Sequence, residues 1–314
     1  MAVQNFEKYF LHFPELDREK DFFKFWERAI GEIKKIPVKP ESHENHKRSS
    51  EKFTAHHITY QGFQKTLASC ELLVPVKAKK PLVIIHIHDY NNKFKYRLDA
   101  LDSGFAHLFV TLRGHANLPA RDEKELRSPG YMAEHILDIE TYYAKGAYLD
   151  IYRSIDLVRL NTDLDCSRIG IIGKGFGAAA AVFTASYSDR VSALALETPA
   201  FCHLKLGQNI STSEITAEIN KYIDSKPAKK KLIKTQLSYF DGINFSDMIH
   251  CPVLSTVGLK DTLSPPECIF AFFNHLETDK TIEVYPDEGN SAGGSQQAKK
   301  TMAWMAEKLH GASK

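Results

Sequence analysis

The sequence lacks the features that mark several classes of protein. Its five cysteines are an odd number, and no two of them show CxxC spacing, so neither a disulfide framework nor a zinc site is predicted. No apolar run is long enough to cross a bilayer. The N-terminus has no basic region followed by an apolar stretch, so no secretory signal is predicted. These absences favour a cytoplasmic protein with no membrane association.

An excess of charge of one sign is also missing. Lys and Arg number 41 and Asp and Glu number 39, which leaves a formal net charge of +2. Such a balance gives no reason to expect binding to nucleic acid or to an anionic membrane. The short basic run at 229–231 is expected to be a solvated helix face.

Two kinds of apolar pattern are present and alternate along the chain. Hydrophobic residues make up 43% of the 314 residues, enough for one large buried core. Apolar, β-branched runs of strand length alternate with stretches of helical spacing, which predicts a mainly parallel sheet with helices on both faces. The expected strands are 81–87, 105–112, 168–172, 191–196, 252–257 and 282–285, and the expected helices are 142–160, 178–187 and 296–310.

The N-terminal part of the chain precedes this alternation. Residues 1–35 show helical spacing, and Pro37 and Pro40 end the segment. We therefore expect an N-terminal helical arm over 1–45. Residues 52–77 then alternate like half-buried strands at the edge of the sheet.

Two further segments interrupt the alternation. A charged loop that contains Pro119 and Pro129 follows the second parallel strand. Polar helical sequence at 203–236 indicates a helical insertion or lid over 203–250. Since no repeat or low-complexity linker occurs, 1–314 is predicted to be a single α/β domain.

Residues 173–177 read Gly-Lys-Gly-Phe-Gly, between a buried strand and a helix of small residues. Strand–GxSxG–helix is the nucleophile elbow of α/β-hydrolases. Gly175 stands where the serine belongs, and it has no Oγ with which to attack an acyl carbon. A plain glycine turn remains an alternative for this motif. A dinucleotide-binding fingerprint does not fit, because the GxGxxG spacing is missing and the strand is not the first of the sheet.

The partners of such a nucleophile follow in the order acid, then histidine. Asp261 lies at the end of the segment 257–261, in which the strand 252–257 runs into a loop, and the acid belongs there. Asn290 follows the next strand, where the histidine belongs. An amide does not titrate near neutral pH, so Asn290 cannot act as a general base.

Several stretches together resemble the acetyl xylan esterase / cephalosporin C deacetylase family of α/β-hydrolases. They run in the family's order from about residue 20 to the C-terminus, and the segment 237–266 carries the most specific match. The matching stretches read FFKFWERAI, IHIHDYNN, TLRGH, YLDIYRSIDLV, SRIGIIGKGFG, ETPAFCH, LSYFDGINFSDMIHCPVLSTVGLKDTLSPP and IEVYPDEGN.

The resemblance implies an α/β-hydrolase fold with a helical insertion. Members of the family remove acetyl groups from short oligosaccharides and small esters, and many form ring-like hexamers, so a homo-oligomer is implied here. By the family's motifs, Asp261 is the retained acid, Gly175 the vacant serine position and Asn290 the vacant histidine position. We therefore expect no measurable esterase activity by the serine mechanism.

The family's oxyanion hole consists of two backbone N–H groups, which map to Tyr90 and Phe176. Here Asp89 replaces the glycine of the family's HGYN motif. A carboxylate beside the oxyanion position would oppose the negative charge that develops there.

Other residues near the predicted site are expected to be structural rather than substitute nucleophiles. Cys202 and His203 match a family pattern in which the cysteine does not react, and buried cysteine is usually inert. Ser264 and Ser291 lie in loops, not on an elbow.

His86 and His88 end a central strand and are expected to be hydrogen-bonded there rather than to ligate a metal. No metal site and no cofactor are therefore predicted.

The emptied site has features of a binding site. The free N–H groups at the start of the helix at Phe176 would accept a carboxylate, phosphate or carbonyl oxygen, and Lys174 adds positive charge nearby. Tyr90, Phe176 and Phe201 are candidates for the aromatic walls of a sugar or small-molecule site. The alternative is that these aromatic residues only pack the core.

Three interpretations of function remain open. The first is a hydrolase-like pseudoenzyme that binds a small molecule, a carbohydrate or a partner, or regulates an active paralogue. The second is an active carbohydrate deacetylase with a substituted nucleophile. The third is a non-catalytic structural subunit of an oligomer.

Overall fold

The computed structural model describes residues 6–92, 94, 101–102, 104–115 and 130–311, and it is organised around one nine-stranded sheet. The strands are β1 (Glu41–Glu44), β2 (Phe53–Gln61), β3 (Leu67–Pro75), β4 (Leu82–Ile87), β5 (Ala106–Val110), β6 (Asp165–Lys174), β7 (Val191–Glu197), β8 (Val253–Gly258) and β9 (Lys280–Tyr285). Their spatial order is β1-β2-β3-β5-β4-β6-β7-β8-β9. Strands β5, β4 and β6 to β9 pair in parallel, and β1 to β3 form an antiparallel edge that joins β5.

Helices cover both faces of this sheet. They are α1 (Phe22–Lys34), α2 (Tyr143–Leu160), α3 (Phe176–Tyr187), α4 (Leu204–Ile210), α5 (Glu214–Ser225), α6 (Lys230–Ser238), α7 (Pro266–Asn274) and α8 (Gly294–His310). Ile171 and Ile172 are successive residues of β6 and therefore point to opposite faces. Ile171 packs in the large core with α2 and α3, whereas Ile172 packs with Met305 and Leu309 of α8. The predicted mainly parallel sheet between two helical layers is confirmed.

The central strands are strongly apolar, and for this reason the sequence predicts their burial in the core. All residues of β5 and β8 are buried, as expected for parallel strands that are covered on both faces. Gly173 to Gly177 lead from β6 into α3, as the motif predicts. None of the helices in the described part of the chain is both long and apolar enough to span a membrane.

The predicted helical arm over 1–45 is wrong in part. Within the described residues 6–45, only the 3₁₀-helix Phe6–Leu11 and α1 are helical, and 12–21 contains no regular element. Pro14 explains the interruption, because proline lacks an N–H and disfavours helical backbone at the residue before it. Residues Glu41–Glu44 form the edge strand β1, whose side chains are all exposed, so no apolar alternation marks it in the sequence.

The insertion at 203–250 is helical, as predicted: it contains α4, α5, α6 and the 3₁₀-helix Gly242–Met248. The basic run at 229–231 is exposed, as expected. The predicted loop with Pro119 and Pro129 lies, over 116–129, outside the described residues.

Candidate active site

The glycine motif forms a sharp turn between β6 and α3. Gly175 has φ +52° and ψ −119°, a backbone conformation that L side chains rarely adopt. A Cβ at Gly177 would lie 2.3 Å from the carbonyl oxygen of His88, so the backbone at the start of α3 is in close contact with the backbone that follows β4. The turn thus places the first N–H groups of α3 beside the loop that follows β4.

The carboxylate of Asp89 occupies the space in front of these N–H groups. Its Oδ1 accepts hydrogen bonds from the backbone N–H of Tyr90 at 2.7 Å and from that of Phe176 at 2.9 Å. These are the two N–H groups that the family resemblance assigns to the oxyanion hole. The sequence predicted a carboxylate beside that position, and the structure places the carboxylate oxygen on both donors.

The same carboxylate fills the space beside Gly175. An ideal Cβ on Gly175 would lie 1.9 Å from Asp89 Oδ1 and 2.1 Å from Asp89 Cγ. Such distances are far below van der Waals contact, so any side chain at residue 175 requires Asp89 to move. Gly175 and Asp89 are therefore compatible with each other, and a serine at 175 is not compatible with this position of Asp89.

The electrostatics of Asp89 reflect its burial. Burial raises the pKa of the Asp89 carboxyl above its usual value, the N–H groups of Phe176 and Tyr90 and the charge of Lys174 lower it, and the nearby Asp261 raises it. His88 supports the Asp89 backbone: its Nε2 accepts the N–H of Leu112 at 3.1 Å, which leaves Nδ1 to donate to the Asp89 carbonyl at 2.7 Å. Burial lowers the pKa of His88 to about 4, so this imidazole is neutral near pH 7.

Asp261 and Asn290 meet on the other side of the site. The Asn290 amide nitrogen donates to Asp261 Oδ2 at 3.2 Å and to Thr198 Oγ1 at 3.2 Å. Asp261 is only 3% exposed, and its Oδ1 accepts the N–H groups of Leu263 and Ser264 at 2.8 and 3.0 Å. The predicted acid position and the predicted histidine position are thus in direct hydrogen-bond contact.

Close backbone packing holds these two loops together. A Cβ at Gly258, the last residue of β8, would lie 2.1 Å from the carbonyl oxygen of Gly289. The N–H of Lys260 donates to the carbonyl of Glu288 at 2.9 Å. The relative position of Asp261 and Asn290 is therefore set by the main chain and does not depend on their own side-chain contact.

Three residues of this region were not identified from the sequence. Thr198 is buried, has φ +40° and links Asn290 to Thr256, whose Oγ1 accepts the Thr198 N–H at 3.1 Å. Glu197 ends β7 next to Lys174 in the register of the sheet. Glu218 of α5 accepts hydrogen bonds from the Tyr90 hydroxyl at 2.8 Å and from the Met132 N–H at 3.0 Å. Only Glu197 carries a sequence signal, since it is a charged residue at the end of a buried strand.

The Tyr90–Glu218 hydrogen bond joins the helical insertion to the loop after β4. Burial raises the pKa of Glu218, whereas its hydrogen bonds with Tyr90 and Met132 lower it. Asn91 adds a second contact, donating to Glu214 at 2.7 Å. The insertion therefore packs directly against the predicted oxyanion loop.

The residues predicted as aromatic walls are buried in the described part of the structure. Tyr90, Phe176 and Phe201 are 5%, 0% and 4% exposed. They pack against one another, with Phe176 at 5.2 Å from Phe201 and 6.3 Å from Tyr90 between ring centroids. Phe201 borders a cavity of about 30 Å³. The packing interpretation of these residues therefore fits the structure, and Phe201 is not supported as a ligand-binding residue.

The potential substitute nucleophiles are placed unfavourably. Cys202 is buried, its Sγ donates to the Ala200 carbonyl, and burial raises its thiol pKa well above the usual value. Ser264 is buried and its N–H donates to Asp261, and the hydroxyl of Ser291 donates to half-buried Glu288 at 2.8 Å. A thiol that resists ionisation and a hydroxyl held by a surface carboxylate are poor nucleophiles.

The histidines at the end of β4 are hydrogen-bonded, as expected. His86 Nε2 lies 2.9 Å from Nδ1 of His107, and His88 is hydrogen-bonded to the backbone of Leu112 and Asp89. In the part of the chain that the structure describes, no group of three or more His, Cys, Asp or Glu side chains is arranged to hold a metal ion.

A cavity of about 460 Å³ adjoins the site. Asp89, Asn290 and Lys174 line it, together with Glu197 and residues of α8. The structure thus brings Gly175, Asp89, Asn290 and Asp261 of the predicted site to one edge of the sheet. Asp89, Asn290 and the predicted Lys174 line the cavity there.

Comparisons with known proteins agree on one family. The sequence profile of the acetyl xylan esterase (AXE1) family matches residues 1–308. The chain is 25% identical over 285 residues to the acetyl esterase Axe7A of Xylanibacter ruminicola; the match covers 87% of this chain and 64% of that relative, so the chain spans less than two thirds of the relative's length.

Solved structures resemble the fold over nearly the whole chain. The acetyl xylan esterase from Paenibacillus sp. R4 superposes with a TM-score of 0.89 at 27% identity, covering 97% of this chain and 99% of that one. Acetyl xylan esterase 1 from Thermoanaerobacterium sp. JW/SL YS485 superposes with a TM-score of 0.84 at 22% identity, covering 96% and 98% of the two chains. The chain has the α/β-hydrolase fold and belongs to the acetyl xylan esterase family.

Proposed function

We propose that this chain is a member of the acetyl xylan esterase family that binds a small molecule at its site and does not hydrolyse esters there. One observation carries the proposal: Asp89 Oδ1 accepts the N–H groups of both Tyr90 and Phe176. A negatively charged oxygen of the protein itself thus stands where the family resemblance places the oxyanion of the reaction.

Charge stabilisation is the first requirement that this arrangement removes. Acyl transfer needs free donors aimed at the oxygen that becomes negative in the transition state. Here both donors are engaged, and the Asp89 carboxylate, when ionised, repels a second negative oxygen. Loss of a single oxyanion-hole donor already lowers turnover by about 10²–10³-fold.

Nucleophile and base are missing as well. Gly175 offers no oxygen or sulfur, and the Asn290 amide has no proton affinity near neutral pH. Members of such a triad act as a unit, and their removal costs on the order of 10⁶-fold in turnover. The retained Asp261 cannot compensate, because its role in the family is to orient an imidazole that this chain does not have.

The retained geometry supports binding. Asp261, Asn290 and Thr198 form a satisfied hydrogen-bond chain at the edge of a 460 Å³ cavity, within the size range of small-molecule sites. Assembly with further copies of the chain and a cytoplasmic location remain predictions from the sequence. Four large apolar side chains near the N-terminus are exposed, which supports assembly: Phe10, Leu11, Phe13 and Phe23.

The test is hydrolysis by the purified wild-type protein. We expect no saturable cleavage of p-nitrophenyl acetate or of acetylated xylo-oligosaccharide, and no labelling by a fluorophosphonate. A Cys202→Ala variant serves as the matched control for thiol-dependent background. Saturable cleavage with fluorophosphonate labelling of the wild type would overturn the proposal; cleavage that disappears in Cys202→Ala would instead favour a substituted nucleophile and overturn it equally.

A further inference from the structure

The cavity beside Asp89 lies between the ends of three parallel strands and the N-terminal half of α8. His86, Lys174 and Glu197 line it from β4, β6 and β7, and Ser295 and Met302 line it from α8. In parallel α/β sheets, ligands bind outside the carboxyl ends of the strands. The position and the volume of about 460 Å³ both fit a small-molecule site.

Two opposite charges face this cavity without pairing. Lys174 and Glu197 are neighbours in the register of β6 and β7, yet they are not within ion-pairing distance of each other. Neither side chain has a hydrogen bond or ion pair to any residue that the structure describes. Burial raises the pKa of Glu197, and the charge of Lys174 lowers it. Each charge is therefore partly removed from water and lacks a partner among the described residues.

A second carboxylate faces the same space. Both hydrogen bonds to Asp89 use Oδ1, and within the described ranges Oδ2 accepts none. Asp89 lines the cavity along with Glu197. The cavity thus offers two carboxylates, the ammonium group of Lys174 between the strand ends and a second, exposed ammonium group, Lys299, on α8.

Part of the remaining lining is apolar. Ile172 and Phe109 are buried strand residues, and Met302 contributes from α8. A ligand that occupies the cavity therefore meets charged groups at the strand ends and an apolar wall beside them.

We propose that this cavity binds an α-amino acid with an apolar side chain. The ligand carboxylate lies against Lys174, the ligand ammonium lies against Glu197 and Asp89, and the side chain packs on Ile172, Phe109 and Met302. This inference rests on the proposed function, since it assumes that the site binds and does not hydrolyse.

Charge balance favours a zwitterion over an uncharged ligand. A neutral ligand would displace water from Lys174 and Glu197 and leave both groups without a hydrogen bond to a charged partner among the described residues, which is costly. A zwitterion supplies one opposite charge to each. Charge-assisted hydrogen bonds are stronger than hydrogen bonds between neutral groups, so each charged group of the ligand is expected to change affinity by at least about tenfold.

The experiment is isothermal titration calorimetry on the full chain with L-leucine, L-methionine and L-phenylalanine. The N-acetyl derivative lacks the ammonium, the methyl ester lacks the carboxylate, and xylose serves as the neutral comparison. We expect a free amino acid to bind at least about tenfold more tightly than either derivative or xylose. Glu197→Gln and Lys174→Met should each weaken binding about tenfold or more, with folding verified by circular dichroism.

The matched control is Lys300→Met. Lys300 also lies on α8, but it pairs with Glu283 at 3.0 Å and does not line the cavity. Its binding should equal that of the wild type. The inference is overturned if no amino acid binds, if the derivatives or xylose bind equally well, or if Glu197→Gln and Lys174→Met leave affinity unchanged. Release of methanol from the ester would overturn the proposed function separately, because it measures hydrolysis and not affinity.

Discussion

The two halves of the site differ in how far they depart from the family pattern. On one side, Asp261 and Asn290 keep the contact that an acid and a histidine would make, with an amide in place of the imidazole. On the other side, Asp89 fills both the oxyanion position and the space of a residue-175 side chain. The half with Asp261 and Asn290 differs from the family arrangement by one substitution, whereas the other half is occupied by the Asp89 carboxylate. Restoring the triad residues alone therefore leaves the site blocked.

The largest effect should come from clearing the occupied half. The triple variant Asp89→Gly/Gly175→Ser/Asn290→His frees both N–H groups and makes room for a serine. We expect it to cleave p-nitrophenyl acetate on the order of 10³-fold faster than the wild type and to react with a fluorophosphonate. The double variant Gly175→Ser/Asn290→His is the matched control and should stay inactive, because Asp89 remains. Equal activity of the two variants would show that Asp89 does not block the site.

The half of the site that contains Asp261 and Asn290 is expected to matter for the stability of the fold. Asp261→Ala removes the acceptor of two backbone N–H groups and one of the two acceptors of the Asn290 amide, which keeps Thr198. It should lower the free energy of unfolding by about 3 kcal/mol. Asp261→Asn keeps an acceptor for the N–H groups, and Asn290 can rotate its amide to match. Urea unfolding should therefore show less than half the loss for Asp261→Asn. Similar losses for both variants would argue against this hydrogen-bond network.

The hydrogen bonds of Glu218, which join the helical insertion to the Asp89 side of the site, can be weakened separately. The Tyr90 hydroxyl and the Met132 N–H both donate to Oε2 of Glu218. Glu218→Gln can keep one oxygen there but loses the negative charge that strengthens both hydrogen bonds, and should cost about 1 kcal/mol of unfolding free energy. Glu214→Gln is the control, because among the described residues Glu214 accepts only from exposed Asn91, and it should cost almost nothing. Equal effects of the two variants would contradict a specific role for Glu218.

The smallest effect is a change in pH dependence. Burial raises the folded-state pKa of Asp89, so the stability that Asp89 contributes is complete below the usual aspartate pKa and is lost as pH rises through the raised value. Asp89→Asn still accepts both N–H groups but does not ionise. Its melting temperature should match the wild type at low pH and exceed it at neutral pH. A constant difference across the pH range would contradict the raised pKa.

The sequence predicted the sheet and the site unequally, for physical reasons. Parallel strands such as β8 are buried on both faces, so their apolar runs are unmistakable, whereas β1 is polar, exposed and held only by pairing with β2. Gly175, Asp261 and Asn290 were located by motif order. That Asp89 would turn its carboxylate onto the N–H groups of Tyr90 and Phe176, rather than only lie beside them, depends on a side-chain rotamer that no sequence pattern encodes.

The central claim is that one Asp89 oxygen binds the N–H groups of Tyr90 and Phe176 together, and amide NMR tests it directly. In ¹⁵N-labelled wild type, the Tyr90 and Phe176 amide resonances should shift with pH in parallel, with one shared midpoint above the usual aspartate pKa, and neither should titrate in Asp89→Asn. Two different midpoints, or shifts that persist in Asp89→Asn, would contradict the account.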